Sequence, residues 1–162
     1  MKKNGRKMTG IFSNRCNLAL QAVLYMSGLG EKKIIKAKYI SEKIAIPREF
    51  TSKVLQDLAK AGIISSQKGK NGGFYIDKPH AEIFLIDIVK AIDGLELFKE
   101  CLFGFPGCSH ENPCPIHVQW GGIRKEIFEL LSNTSILNLD KLSDKKIDQI
   151  VKDSIGKFPK HE

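Results

Sequence analysis

The chain has 162 residues, enough for one main domain with a small appended element, and its hydrophobic content of 42% suffices for a packed core. The formal net charge of +8 indicates an anionic partner, with nucleic acid considered before a membrane surface. No segment approaches the ~18 apolar residues of a transmembrane helix, and the basic start lacks the apolar stretch of a signal peptide. We therefore predict a cytoplasmic protein in which residues 1–11 form a flexible basic arm.

Three shorter helices are predicted from periodicity and from their end signals. The first spans about residues 13–27, because Ser13 is a good N-cap residue and Gly28 stops the helix. The second spans about residues 37–45, after a brief strand at Ile34–Ile35, and another spans about residues 85–92. Each has enough apolar positions on one side to pack against a shared core.

The third helix in the chain order has the clearest pattern. Pro47 suits the first turn and Gly62 follows the last, and between them lies an apolar stripe made of Phe50, Val54, Leu55, Leu58 and Ala61. The opposite face presents short polar and charged side chains, namely Arg48, Glu49, Ser52, Lys53 and Gln56. This face is the first candidate interface.

Two strand-like segments follow, at about residues 63–67 and 73–76, around a glycine-rich tip that contains Lys68 and Lys70. Two short strands around such a tip predict a β-hairpin. A helix–turn–helix followed by a two-stranded wing is a DNA-docking arrangement, in which the second helix enters the major groove and the wing lysines neutralise phosphates or enter the minor groove. The alternatives from residue types alone are a solvated helix face with a plain surface hairpin, or a module that binds another protein.

A segment without periodicity, residues 95–117, contains Cys101, Cys108 and Cys114. A thiol cluster in a reducing compartment favours metal or redox chemistry over a structural disulfide. Three thiolates are one ligand short of the usual four, and the nearest candidates for the fourth are His117 and then His110, or a residue elsewhere in the fold or in a partner subunit. Spacing does not choose between zinc and an iron–sulfur cluster, and a metal-free thiol sensor is the further alternative.

The remaining cysteine, Cys16, lies on the first helix, where we expect it to be a buried apolar residue. Signatures of catalysis are absent from the sequence: there is no G-x-S-x-G, no Walker loop and no H-E-x-x-H. We therefore do not expect an enzyme.

A long helix is predicted from about Pro115 to Asn133. Its apolar residues follow heptad spacing, which suits a seam against another helix, and they are Ile116, Trp120, Ile123, Ile127 and Leu130. Two glycines inside it, Gly121 and Gly122, each cost about 1 kcal/mol relative to alanine, which the close approach of a second backbone would offset. A last helix is predicted from about Ser143 to Ile155, within a C-terminal segment of residues 143–162.

These features together resemble a known family, the IscR/NsrR/CymR-type winged-helix regulators of bacteria. The resemblance covers about residues 12–142 and rests on four segments in the same order, which are LALQAVLYM, IPREFTSKVLQDLAKAGIISSQKGKNGGFYI, FLIDIVKAIDG and CLFGFPGCSHENPCPIH. It implies a mostly α-helical fold with a small β-hairpin wing: a winged helix–turn–helix domain (residues 12–94), a cysteine loop (95–117), and a dimerisation helix and turn (118–142).

The resemblance also implies a function and its site residues. Family members are homodimers that bind partly palindromic operators, and the long helix after the cysteine loop pairs with its counterpart. Cluster-binding members use three loop cysteines, which match Cys101, Cys108 and Cys114. In IscR-like members the fourth ligand is a histidine at the place of His117, whereas NsrR-like members use a carboxylate at the place of Asn17. An asparagine has no carboxylate, so the resemblance implies a [2Fe–2S] cluster held by His117.

Overall fold

The computed structural model describes residues 10–140, so the predicted C-terminal helix and residues 1–9 of the basic arm lie outside the described residues. The fold is mostly helical with one two-stranded antiparallel hairpin, which confirms the predicted fold class. The elements in chain order are α1 (Asn14–Ser27), α2 (Ala37–Lys43), α3 (Arg48–Lys60), β1 (Ser65–Gln67), β2 (Gly73–Tyr75), α4 (Leu85–Ile92), α5 (His117–Asn133) and α6 (Ile136–Asp140). Single-turn 3-10 helices, which periodicity could not predict, lie at His80–Glu82 and Glu96–Phe98.

Helix α1 is the central element of the core. The Ser13 hydroxyl accepts a hydrogen bond from the Cys16 backbone N–H (3.1 Å), and Gly28 follows the last turn, as the sequence predicts. Five apolar side chains of α1 are almost fully buried in the main core, and they are Leu18, Ala19, Ala22, Val23 and Met26. They pack with residues of α2, α3, α4, α6 and the hairpin, and among the described residues none of the core side chains comes from the segment 99–116.

Helices α2 and α3 form the helix–turn–helix. α2 ends at Lys43, two residues earlier than expected, because Ala45 adopts a left-handed conformation with φ of 53°. The Ile46 N–H then donates to the Ser41 carbonyl (3.1 Å), the bond that closes a Schellman motif. α3 begins at Arg48, one residue after Pro47, and buries Val54, Leu55 and Leu58 against the core, as its apolar stripe predicts.

We expect that Ala45→Gly stabilises the protein by about 1 kcal/mol, because an L residue with a Cβ is strained in the left-handed region whereas glycine is not. Ala45 is exposed, so its methyl group contributes little packing. Thermal unfolding of the variant and the parent should show a higher midpoint for the variant. A lower midpoint would mean that the entropy of glycine in the unfolded chain outweighs the relief of strain.

The hairpin pairs Ser65 with Tyr75 and Gln67 with Gly73, shorter by two residues in β1 and one in β2 than expected. A third segment joins it: the Ile35 N–H donates to the Phe74 carbonyl (2.9 Å) and the Phe74 N–H donates back (2.8 Å). Instead of the strand predicted at Ile34–Ile35, only this single bridge forms. Gly73 permits the approach, because a Cβ there would lie 2.5 Å from the Ile35 carbonyl oxygen.

The chain returns from α5 to the start of α4. The Leu85 N–H donates to the Thr134 carbonyl (3.0 Å) and the Ile136 N–H donates to the Ile83 carbonyl (2.9 Å). α5 begins at His117, not Pro115, and ends at Asn133 as predicted. The segment after it was expected to be a turn, and this was wrong: residues 136–140 form α6, which buries Ile136 against α1.

Candidate metal centre and nucleic-acid interface

The cysteine loop has no α-helix or strand between residues 99 and 116, and tight turns shape it. The Gly104 N–H donates to the Cys101 carbonyl (3.0 Å), and the Cys108 N–H donates to the Phe105 carbonyl (3.2 Å). The His117 N–H donates to the Cys114 carbonyl (3.0 Å), which joins the end of the loop directly to the first turn of α5. Each of the three cysteines is therefore placed by a local turn.

These turns bring the three loop thiols together. The Sγ atoms of Cys101, Cys108 and Cys114 all lie within 4.8 Å of one another, and those of Cys101 and Cys114 are 3.7 Å apart. All three residues are half-buried. The Cys114 N–H also donates to the Cys108 sulfur (3.5 Å). Thiol groups that converge in this way form a site able to bind a soft or borderline metal.

His117 lies beside this site and contacts a second histidine, His110. His117 Nδ1 is 3.1 Å from Cys108 Sγ, and the His110 and His117 rings meet edge to face with centroids 4.8 Å apart. The set of mutually close ligand atoms contains the three sulfurs and neither imidazole. The structure therefore places His117 beside the thiol group, and its role as a ligand stays a prediction.

The environment of the thiols separates their acidities. Desolvation raises the pKa of the Cys101 thiol, but the backbone N–H groups of Phe105 and Phe103 and the two neighbouring thiols outweigh it and lower that pKa to about 7. Desolvation raises the pKa of the Cys114 thiol, and the other two cysteines raise it further. The coupled thiols therefore lose their protons in separate steps, with the first thiolate formed at lower pH than for an isolated cysteine.

Cys16 is fully buried, as the sequence predicts, and belongs to a different part of the molecule. It packs with Val89 and Leu131 in a small apolar cluster. Burial, together with the nearby charge of Asp93, raises the pKa of its thiol to about 12. Asp93 itself accepts hydrogen bonds from the backbone N–H (2.7 Å) and the hydroxyl of Ser13, which joins the start of α1 to the end of α4. Cys16 is therefore an unreactive core residue.

Sequence reasoning missed two side chains that line the thiol cleft, Trp120 and Arg124. The Trp120 Nε1–H donates to the Glu100 carbonyl (3.1 Å), and Arg124 Nη1 donates to the same oxygen (2.6 Å). The cleft is lined by Lys99, Cys101, Cys108, Cys114, His117, Trp120 and Arg124. The available signal was the spacing of three polar-tipped residues at i, i+3 and i+7 on α5, which places His117, Trp120 and Arg124 on one stripe.

The candidate nucleic-acid face lies on α3. Its five predicted residues line one open depression on the surface, and they are Arg48, Glu49, Ser52, Lys53 and Gln56. On the neighbouring side of α3, Asp57 pairs with Arg15 of α1 (2.5 Å), which orients the helix on the core. Lys68 and Lys70 are exposed at the hairpin tip, on either side of Gly69, whose φ is +102°. The structure thus presents the predicted residues to solvent on two adjacent elements.

The predicted heptad seam of α5 is divided between different environments. Ile127 packs on the cluster around Cys16, and the Trp120 indole lies in the thiol cleft. Ile123 and Leu130 remain exposed (48% and 65%), together with Val118 (77%).

The described residues contain no helix long and apolar enough to cross a membrane.

The model of one protein family, described as iron-dependent transcriptional regulators, matches residues 12–141 of the chain. The chain belongs to the Rrf2 family. The match covers the helix–turn–helix, the wing, the thiol loop and α5, so the predicted family is confirmed and the chain is a transcriptional regulator by family.

Individual relatives agree with this assignment. A helix–turn–helix-type transcriptional regulator of Aquifex aeolicus is 31% identical over 139 residues, which cover 85% of this chain and 96% of that protein. Among solved structures, CymR, the global cysteine regulator of B. subtilis, matches with a TM-score of 0.68 at 19% identity, over 82% of this chain and 98% of that chain. IscR of T. potens matches with a TM-score of 0.62 at 20% identity, over 86% and 92% of the two chains. At these identities the two structures support the Rrf2 fold.

Proposed function

We propose that this Rrf2 protein is a dimeric DNA-binding repressor that senses redox state, iron or nitric oxide through an iron–sulfur cluster held by the cysteine loop. The observation that carries the proposal is the convergence of the Cys101, Cys108 and Cys114 thiols within 4.8 Å at the start of α5. Rrf2 proteins are transcriptional regulators, and three thiols brought together beside an imidazole serve no evident packing purpose in a loop outside the core.

The donor set suits such a cluster. Thiolates are the usual ligands of iron–sulfur clusters, and an imidazole replaces thiolate in some two-iron centres. We assign the fourth position to His117, whose Nδ1 lies 3.1 Å from Cys108 Sγ, and with it favour a [2Fe–2S] cluster. Asn17, half-buried on α1, offers an amide in place of the carboxylate of NsrR-like members. When bound, the cluster would supply one-electron redox chemistry and a centre reactive toward oxidants and nitric oxide.

The DNA-binding role is assigned to α3 and the hairpin. In this arrangement α3 enters the major groove, where Arg48 can donate two hydrogen bonds to a guanine and Gln56 can pair with an adenine. Ser52 and Lys53 would contact base edges or phosphates, and Glu49 can accept from a cytosine amino group. The exposed wing lysines, Lys68 and Lys70, would neutralise phosphates or reach the adjacent minor groove.

The exposed apolar residues of α5 support a homodimer through the helix around Ile116 to Leu130. Ile123 and Leu130 lie seven residues apart, and both are exposed in the single chain. A Cβ at Gly122 would meet nothing within 4 Å, so the helix backbone is accessible to a second helix at that point. Burial of these residues against a second copy would offset the helix cost of the two glycines.

The path from the cysteine loop to the DNA would run through α5. The loop ends on α5, and Ile127 of α5 packs on the cluster that also contains residues of α1 and α4. α1 in turn contacts α3. A change in the thiol site that moves α5 would alter the spacing of the two recognition helices in a dimer, which is the two-state element that such a sensor requires.

The test is purification without air, followed by a visible spectrum, iron and sulfide analysis, and DNA binding of the loaded and emptied forms. We expect iron and sulfide with broad visible absorption, and a change of at least tenfold in affinity for the protein's own promoter region. A protein that stays colourless after reconstitution would contradict the proposal. Equal DNA affinities of the loaded and emptied forms would contradict it as well.

The same geometry supports one alternative, in which the loop holds zinc or works as a metal-free thiol sensor. A cleft with three thiols and an imidazole also suits tetrahedral zinc, and three thiols within 4.8 Å of one another could form a disulfide in a metal-free site. Stoichiometric zinc in protein isolated without air would favour this reading over the cluster.

A further inference from the structure

The backbone carbonyl of Glu100 accepts two hydrogen bonds from α5, one from the Trp120 indole and one from the Arg124 guanidinium. Glu100 is the residue immediately before Cys101. A carbonyl oxygen has two lone pairs, so these two donors satisfy it fully. These two bonds attach the residue next to Cys101 to α5, and a ring contact between Phe98 and Phe128 of α5 (centroids 5.2 Å apart) lies just before them in the chain.

The two ends of the loop are therefore attached to the same helix. The far end, at Cys114, runs directly into α5, and the His117 N–H donates to the Cys114 carbonyl. The near end is attached through Trp120 and Arg124, which lie one turn apart on the stripe that also carries His117. The thiols thus lie between two attachments to α5, and loss of the bonds to the Glu100 carbonyl would act first on Cys101, the next residue in the chain.

Arg124 also has an electrostatic relation to the thiols. Its Nε is buried and has no hydrogen-bond partner among the described residues, and the side chain lines the cleft with the three cysteines. Three thiolates in one small site repel one another, and a guanidinium is always charged. A positive charge at this place would offset part of the negative charge of a deprotonated ligand set.

We propose that Trp120 and Arg124 are positioning residues of the metal centre, because their hydrogen bonds to the Glu100 carbonyl hold Cys101 in ligating position. This inference rests on the proposed function in that it requires the thiols to bind metal, but it does not depend on which metal they bind. It also makes α5 sensitive to the site, since a shift of Cys101 on loading would act on two side chains of that helix.

The experiment titrates Co²⁺ into the full chain without air and follows the cobalt–thiolate charge-transfer absorption, with affinities obtained by competition against a chelator. The variants are Trp120→Phe, which keeps a ring without the N–H donor, and Arg124→Gln, which removes the charge. Lys125→Gln is the matched control, because this exposed neighbour on α5 pairs with Glu129 across 3.8 Å and does not line the thiol cleft. Cys108→Ala gives the background cobalt absorption of a protein that lacks one of the three loop thiols.

We expect Trp120→Phe and Arg124→Gln each to weaken cobalt binding by about 10–100-fold, the usual effect of removing a group that orients a ligand, and Lys125→Gln to stay within about twofold of the parent. Arg124→Lys, which keeps a charged donor, should recover part of the loss. Trp120 is the chain's single tryptophan, so its fluorescence should change when cobalt binds to the parent and stay constant in Cys108→Ala.

The outcomes separate the two proposals. Parent protein without cobalt–thiolate absorption would overturn the positioning role, whereas the cluster is overturned separately, by parent protein without iron and sulfide after reconstitution. Parent that binds cobalt, with Trp120→Phe and Arg124→Gln matching it in affinity, would overturn only the positioning role. A lower unfolding midpoint of the metal-free variants, with unchanged cobalt affinity of the folded protein, would likewise show that the two residues act on stability alone.

Discussion

Anaerobically reconstituted Cys108→Ala is expected to lose the visible absorption of the parent and to weaken metal binding at least ~100-fold, more than the loss of an orienting group costs. Cys108 is central to the thiol group: it receives the Cys114 N–H and lies against His117. Its removal leaves two thiols, too few to hold an iron–sulfur cluster with one imidazole. The measurement is iron and sulfide content with the visible spectrum.

Cys16→Ala is the matched control for this prediction. The Cys16 thiol is fully buried in the core, and its pKa of about 12 keeps it protonated at neutral pH. The control should keep the spectrum of the parent with a modest loss of stability, since it removes one small buried group. If Cys108→Ala retains the parent's absorption and iron content, the loop is not the metal centre.

The second large effect is expected on DNA binding. Arg48→Ala should weaken binding to the operator by about 10–100-fold, because a bidentate contact to a base is worth ~1–3 kcal/mol. Lys68→Ala should weaken binding to all sequences alike and reduce the slope of log affinity against log salt by about 0.9, the contribution of one phosphate contact. Both side chains are exposed, so neither change should alter the fold.

Lys90→Ala, on the exposed side of α4, removes the same charge away from the proposed interface. It should leave both the operator affinity and the salt slope within about twofold of the parent. Affinities of Arg48→Ala and Lys68→Ala that match this control would assign α3 and the wing to a protein partner instead of DNA.

Much of the fold could be predicted because local signals and burial agree. The Ser13 cap and Gly28 define α1, and α4 has the predicted bounds because its periodicity ends at a glycine with φ of +76°, Gly94. α6 could not be predicted, since a helix of five residues has almost no periodicity. It is held instead by the bridge between Phe84 and Ser135, which depends on residues distant in the sequence.

The candidate site, like the fold, combines features that the sequence predicts with features that depend on three-dimensional contacts. The cysteine pattern predicts a cluster of thiols, but their convergence depends on turn hydrogen bonds such as that from Gly104 to Cys101. Trp120 and Arg124 were missed because their acceptor is a main-chain oxygen, and any residue at position 100 would supply it. Trp120 was instead interpreted as part of an apolar seam, and in the single chain its indole N–H is hydrogen-bonded to the Glu100 carbonyl.

The separation of the thiol loop from the core has a thermodynamic consequence. In a zinc finger the metal supplies the folding free energy, so the empty form is an unfolded chain. Here the core is built from the helices and the hairpin, without side chains of residues 99–116. Loading and emptying the proposed metal site would therefore interconvert two folded forms of the protein. Each form would bind an operator with its own affinity. Regulation would then depend on the ratio of the two folded forms, and not on the amount of folded protein.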